Sequence, residues 1–170
     1  MKNIIALLLI VLTVNTLEAQ ESQTTKYEAK NNFLGFYASG TNGFGFSYRH
    51  NFGKFGIKFT GLPAGNKNNL YLIGGSQLTY TFFSQENINL FSYIGTNIIY
   101  YKCRHCYSLN YEYSDTYISF SQWNAGTGIG MQVPLSRIIY LEVTLGYGIY
   151  DFTSWYLLNV DGGFGLFFNF

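Results

Sequence analysis

Charge is scarce in this chain. Lys and Arg together number 10, Asp and Glu 9, and the four types make up 11% of 170 residues. A net charge of +1 gives no electrostatic reason to expect nucleic acid as a partner. Proline, methionine, cysteine and histidine are each present twice. Long apolar runs are missing too. After the N-terminal stretch no segment offers about 18 continuous apolar residues, which excludes helical membrane spans. The mean hydropathy of +0.05 is low for a bundle of membrane helices. What the chain does have is 16 Tyr, 16 Phe and 19 Gly. Many large apolar residues with little charge argue against disorder. Together with abundant Asn and Thr they point to many strands facing something other than water.

The first 19 positions carry an export pattern. Met1-Lys2-Asn3 is a short positive start, Ile4–Val14 an apolar core, and Leu17-Glu18-Ala19 a small-residue ending. These are the three regions of a secretory signal peptide. The apolar core is too short to span a bilayer, which takes about 20 residues. Residues 20–32 are polar and aperiodic and read as a flexible periplasmic leader. Residues 33–170 read as one domain.

From Phe33 onward the period is two. Eight strands are expected, over about Phe33–Gly40, Gly43–His50, Phe55–Leu62, Leu70–Phe83, Ile88–Lys102, Thr116–Val133, Ile138–Tyr150 and Tyr156–Phe170. The uncharged stretch Thr116–Ser136 imitates a membrane helix, but Gly126, Gly128 and Gly130 alternate, as in a strand. Ile139, Leu141, Val143, Leu145, Tyr147 and Ile149 oppose Tyr140, Glu142, Thr144, Gly146 and Gly148. Phe44, Phe46 and Tyr48 oppose Gly45, Ser47 and Arg49; Phe55, Ile57 and Phe59 oppose Gly56, Lys58 and Thr60. The bulky face is therefore continuous and the other face is small and polar. A soluble barrel would pack its bulky face inside. Glycines and small polar residues instead fit the narrow lumen of an eight-stranded barrel, leaving the bulky face to lipid. The four charges well inside strands, Arg49, Lys58, Glu142 and Asp161, all fall on the small-polar face and are expected to form a lumen charge network. A Lys or Arg facing lipid at the midplane would cost ~2–4 kcal/mol. The fifth strand gives no clear facing, because Ser92 and Thr96 share a parity with Leu90, Ile94 and Ile98. The sixth changes character near Ile118 and Phe120, above the membrane or at a bulge.

The chain ends Gly165-Leu166-Phe167-Phe168-Asn169-Phe170, with Phe164, Leu166, Phe168 and Phe170 at alternate positions. This resembles the C-terminal signature of Gram-negative outer-membrane barrels, and residues 33–170 resemble a small barrel of the OmpA/OmpX type. The resemblance implies an all-β, closed antiparallel transmembrane barrel in the outer membrane with both termini in the periplasm. It implies that Phe164, Leu166, Phe168 and Phe170 are read by the barrel-assembly machinery, with outer-membrane lipids around the wall. The chain stops at its last strand, so no following periplasmic peptidoglycan-binding domain is expected.

Candidate chemistry is thin. Cys103-Arg104-His105-Cys106 opens the longest connection. Tyr107 stands where a c-type haem site needs His, and a thioredoxin-like site needs a helix that is absent. A disulfide, two free thiols, or a metal site lacking an evident fourth ligand remain. His50 falls on the lipid-facing parity. His105 shares its loop with Ser108, Glu112 and Asp115, but nothing there fixes a nucleophile beside a base. No catalytic residue, metal or cofactor is therefore expected. Tyr100, Tyr101, Tyr107, Tyr111, Tyr113, Tyr117, Tyr150, Trp155 and Tyr156 are expected near the outer interface, and Phe52, Phe55, Phe82, Phe168 and Phe170 at the inner one. Tyr107, Tyr111 and Tyr113 on the Lys102–Asp115 segment are the candidate contacts for an unidentified extracellular partner. The expected role is structural or surface interaction with a filled lumen. The rivals are a narrow channel for small solutes and an outer-membrane lipid-modifying enzyme.

Overall fold

The computed structural model describes residues 31–66, 69–103, 118–152 and 157–170. Eight strands follow one another: β1 (Asn32–Ser39), β2 (Gly43–Phe52), β3 (Phe55–Gly65), β4 (Asn69–Gln85), β5 (Ile88–Cys103), β6 (Ile118–Pro134), β7 (Ile139–Tyr150) and β8 (Leu157–Asn169). Each pairs antiparallel with the next, and β8 returns to β1 to close a barrel. Closure matters because an open sheet edge in hydrocarbon would strand backbone N–H and C=O groups. At the seam Phe33 lies opposite Asn169 and Ser39 opposite Gly163, and the Phe170 amide donates to the Asn32 carbonyl at 3.1 Å.

The wall is uneven. β1 has 8 residues and β2 has 10, while β4, β5 and β6 have 17, 16 and 17. Three tight turns lie at one rim with both ends of the barrel domain: Gly53–Lys54, Glu86–Asn87 and the Leu135–Ile138 bend. The β4–β6 wall rises past its neighbours at the opposite rim. There β5 and β6 pair without interruption up to Cys103 opposite Ile118, so the change of character near Ile118 is height and not a bulge. The bulge lies between Thr81 and Phe83 in β4, which leaves Phe82 and Phe83 both exposed.

The period of two places side chains as a transmembrane barrel requires. Phe36, Phe46, Phe59, Leu78, Ile94, Ile129, Leu145 and Phe164, one from each strand, are exposed on the outer face. Ser47, Arg49, Lys58, Gln77, Thr79, Asn97, Asn124, Gln132, Glu142 and Asp161 are buried. This is the inverse of a water-soluble barrel, and so large an exposed apolar belt needs a covering phase. Phe46, Phe164, Leu166 and Phe168 do not converge on a dry centre; each is outward and exposed.

The fifth strand resolves against the simple pattern. Phe91, Tyr93 and Asn97 turn inward and are buried, whereas Ile94 is outward and 62% exposed. Ser92 and Thr96 therefore share the outer parity. Thr96 meets that environment by donating its hydroxyl to the Asn124 carbonyl at 2.8 Å, and outward Thr127 does the same to the Tyr93 carbonyl at 2.8 Å. Each hydroxyl is satisfied by the adjacent strand, so it needs no water.

Candidate functional site: a filled lumen

The lumen is stacked in layers from the tight-turn rim upward. Phe33 and Phe167 form its floor with Tyr140, whose ring meets Phe33 edge-on at 5.2 Å. Phe167 has the inward parity of β8, opposite to Phe164, Leu166 and Phe168 on that strand, and is fully buried.

Above the floor three charges meet. Glu142 reaches from β7 and receives Arg49 Nη1 at 2.8 Å and Lys58 Nζ at 2.6 Å, from β2 and β3. Arg49 and Lys58 are cross-strand partners, so one carboxylate bridges two adjacent cations across the axis. All three are at most 2% exposed. Arg49 also donates Nε to Asn51 Oδ1 at 2.8 Å and Nη2 to Thr79 at 3.4 Å. The surplus positive charge is met by aromatic faces. Lys58 Nζ lies 3.1 Å from the Tyr37 ring centre, and Arg49 lies over Phe91 at 5.0 Å.

The rings have room because they face glycines. Tyr37 lies against Gly163 and Gly165, Phe91 against Gly130, and Tyr93 against Gly146. The Tyr37 hydroxyl pairs with Thr144 Oγ1 at 2.8 Å. Glycine inside a strand thus marks close approach here, not weakness.

Asp161 does not join the three charges. It sits higher and holds the β1–β2 turn, residues 40–42, which folds into the lumen: Thr41 and Asn42 are wholly buried. Asp161 accepts hydrogen bonds from Ser39 Oγ (3.0 Å), the Gly40 amide (3.0 Å), Thr41 Oγ1, and Tyr150 Oη (3.0 Å). On the other side, Asn97 and Asn124 donate to the Gly40 carbonyl at 2.9 and 3.3 Å. Asn124 Nδ2 also donates to Asn97 Oδ1, and Asn124 Oδ1 accepts the Asp151 amide, both at 2.9 Å. The turn is received by a band of glycines: Thr41 lies on Gly126 and Gly148, Asn42 on Gly75 and Gly95. What reads in sequence as a very short outer loop is a plug. Its readable signal was that glycine band on the inward parity of β4–β7.

Other expected positions divide clearly. Phe164, Leu166, Phe168 and Phe170 face outward. Phe52, Phe55 and Phe82 are exposed near the tight-turn rim, the Phe52 and Phe55 rings stacked at 6.2 Å. Tyr150 is not in an interfacial girdle, because its even parity on β7 turns it inward to Asp161. His50 packs by Nδ1 against Asn32 Oδ1 at 2.9 Å, an oxygen that also accepts the Tyr48 hydroxyl at 2.8 Å. Cys103 is buried at the top of β5 and is disulfide-bonded. Cys106, His105, Tyr107, Ser108, Tyr111, Glu112, Tyr113, Asp115, Tyr117, Trp155 and Tyr156 lie outside the described residues. Among the described residues no group of three His, Cys, Asp or Glu side chains is placed to hold a metal.

A closed antiparallel sheet of eight strands, greasy outside and polar at its axis, defines a transmembrane β-barrel. No family model and no curated protein matches the sequence. Among solved structures the chain is similar to the N-terminal β-barrel domain of Pseudomonas aeruginosa OprF. That match has 13% identity and a TM-score of 0.50, covering 82% of this chain and 96% of that one. It is also similar to Ail, the attachment invasion locus protein of Yersinia pestis. Here identity is 16% and the TM-score 0.47, over 81% and 93% of the two chains. At such identity the OprF likeness establishes the barrel fold.

Proposed function

We propose that this chain is a barrel of the Gram-negative outer membrane, exported by its signal peptide, and that it works as a surface-interaction protein with a shut lumen. One observation carries the surface role. On the lumen-side face of the tall β4–β6 wall, Tyr71 lies opposite Tyr101 and Tyr101 opposite Phe120. The three rings are 37%, 37% and 50% exposed, above the level where the shorter strands end. They form an aromatic ladder across three strands, and Tyr101 and Phe120 flank the Lys102–Asp115 segment that carries Tyr107, Tyr111 and Tyr113. Exposed aromatics concentrate contact energy at interfaces. The lumen below is closed by the Glu142 ion cluster and by the inward turn, which favours surface contact over solute passage.

Replacing Tyr71 and Phe120 together with Ser is expected to leave heat-modifiable gel migration intact. It should lower adhesion of expressing cells to abiotic and cellular surfaces several-fold, as should deletion of residues 104–113. Unchanged adhesion with retained assembly would remove the ladder from the account. Recovery of the protein from the soluble periplasm would remove the membrane assignment.

A further inference from the structure

We propose that the β1–β2 turn is a hinged plug, latched by Asp161, whose release opens the upper half of the lumen to small water-soluble molecules. This goes beyond the surface role and rests on different residues. The bonds that hold the turn are polar, and among the described residues its apolar contacts are confined to the Thr41 methyl on Gly126 and Gly148 and the Tyr150 ring beside Gly40. Asp161 accepts one backbone amide and the hydroxyls of Ser39, Thr41 and Tyr150, and Asn97 and Asn124 donate to the Gly40 carbonyl. Water can replace each of these bonds, whereas a turn packed by apolar side chains would lose its burial on leaving. The cradle it lies on is glycine, at Gly75, Gly95, Gly126 and Gly148, and the side chains that close on it, Tyr150 and Asp161 beside Gly40, do so from one side.

The turn also has a hinge. Immediately after it Gly43 has φ 92° and Gly45 has φ 130°, conformations that side-chain-bearing residues rarely adopt. Gly43, Phe44 and Gly45 pair with Ser39, Ala38 and Tyr37 of β1, so a swing of the turn unzips these pairs from the top while β2 stays paired to β3 from Phe46 onward. Beneath the turn the lumen is wettable. Gln77 is 1% exposed, yet neither atom of its amide has a protein hydrogen-bond partner, and Thr144 and Tyr93 are polar and buried. The ion cluster at Glu142 lies lower and does not depend on the turn, so the device opens a vestibule and not a through-channel.

Thr144→Cys, 2% exposed in the parent, serves as the reporter in purified protein refolded in detergent, probed with a small charged methanethiosulfonate. Slow labelling is expected with Asp161 present. Asp161→Ala in the same background should raise the rate at least tenfold while heat-modifiable migration is retained. If Asp161→Ala fails to assemble, Asn97→Ala with Asn124→Ala takes its place, with the same expected acceleration. A second arm staples the turn by Thr41→Cys with Gly126→Cys, positions in direct contact. Oxidation should return labelling of the latch variant to the parent rate. Parent-like labelling in an assembled latch variant, or acceleration that survives the staple, overturns the proposal.

Discussion

Glu142→Ala is expected to cost the folded barrel about 3–5 kcal/mol, because it leaves two buried cations facing one another without a carboxylate. Arg49 and Lys58 are directly opposite on β2 and β3, and each is at most 2% exposed. Neither can rotate out to water, since the wall around them is lipid-facing. The Tyr37 and Phe91 faces offset part of the surplus charge in the parent, but cation–π contact is worth about 2 kcal/mol when desolvated and cannot replace an ion pair made at 2.6 Å. The triple variant Arg49→Met, Lys58→Met, Glu142→Leu removes all three charges together. It should lie within about 1 kcal/mol of the parent, or above it, since desolvating an ion cluster often consumes what its Coulomb attraction returns. Urea unfolding in phospholipid vesicles, followed by Trp fluorescence, measures both. A single variant as stable as the parent would show that the cluster contributes nothing to holding the barrel.

The second large effect lies on the opposite face. Ile129→Arg is expected to destabilise the protein in vesicles by ~2–4 kcal/mol, the cost of a cation near the bilayer midplane. Ile129 is 62% exposed and pairs across β6 and β7 with Leu145, itself 60% exposed. Leu145 lies midway along β7 (Ile139–Tyr150), and Ile129 sits at the same level on β6, whose upper end rises past β7. If water surrounded this surface, an exposed Ile→Arg exchange would change stability by no more than about 0.5 kcal/mol. Phe52→Arg, at the rim, should cost ~0–1 kcal/mol in the same assay. The depth dependence therefore separates lipid from water without assuming either, and equal small effects at both positions would count against a membrane-spanning wall.

Much of the fold is legible in the sequence because one rule governs it. Where a strand alternates cleanly, as Phe44–Arg49 or Ile139–Ile149, the parity sets which face meets lipid. The burial of Arg49, Lys58, Glu142 and Asp161 follows from that rule alone. Which of them meet does not follow. Lys58 and Glu142 touch across the axis from strands four apart, and that depends on the stagger of the closed sheet, which no single strand encodes. Asp161 shares the parity but not the height, so it serves the turn instead. The rule breaks where lumen volume must be filled. Phe91, Tyr93 and Phe167 carry bulk inward, and Ser92, Thr96 and Thr127 sit outward with the two threonine hydroxyls tied to neighbouring carbonyls. Pattern reading weighs polarity and cannot see that a ring inside needs a glycine opposite. The inward turn was hidden for the same reason: Thr41-Asn42 is polar and short, as an outer loop would be. Only the matching glycines of four other strands distinguish a plug from a loop.

The β1–β8 seam sets an order of events. The ends of the barrel domain meet there, and the contacts that lock the lumen join residues far apart in the chain: Arg49 to Glu142 across 93 positions, Tyr37 to Thr144 across 107, Thr41 to Asp161 across 120. None of these can form before the C-terminal strands β7 and β8 are present. Until then each inward-facing cation lacks its carboxylate and each apolar strand face lacks its lipid, so the emerging polypeptide is at its most aggregation-prone just before its last strand arrives. Such a chain reaches its final shape in a single late step, when β8 closes onto β1.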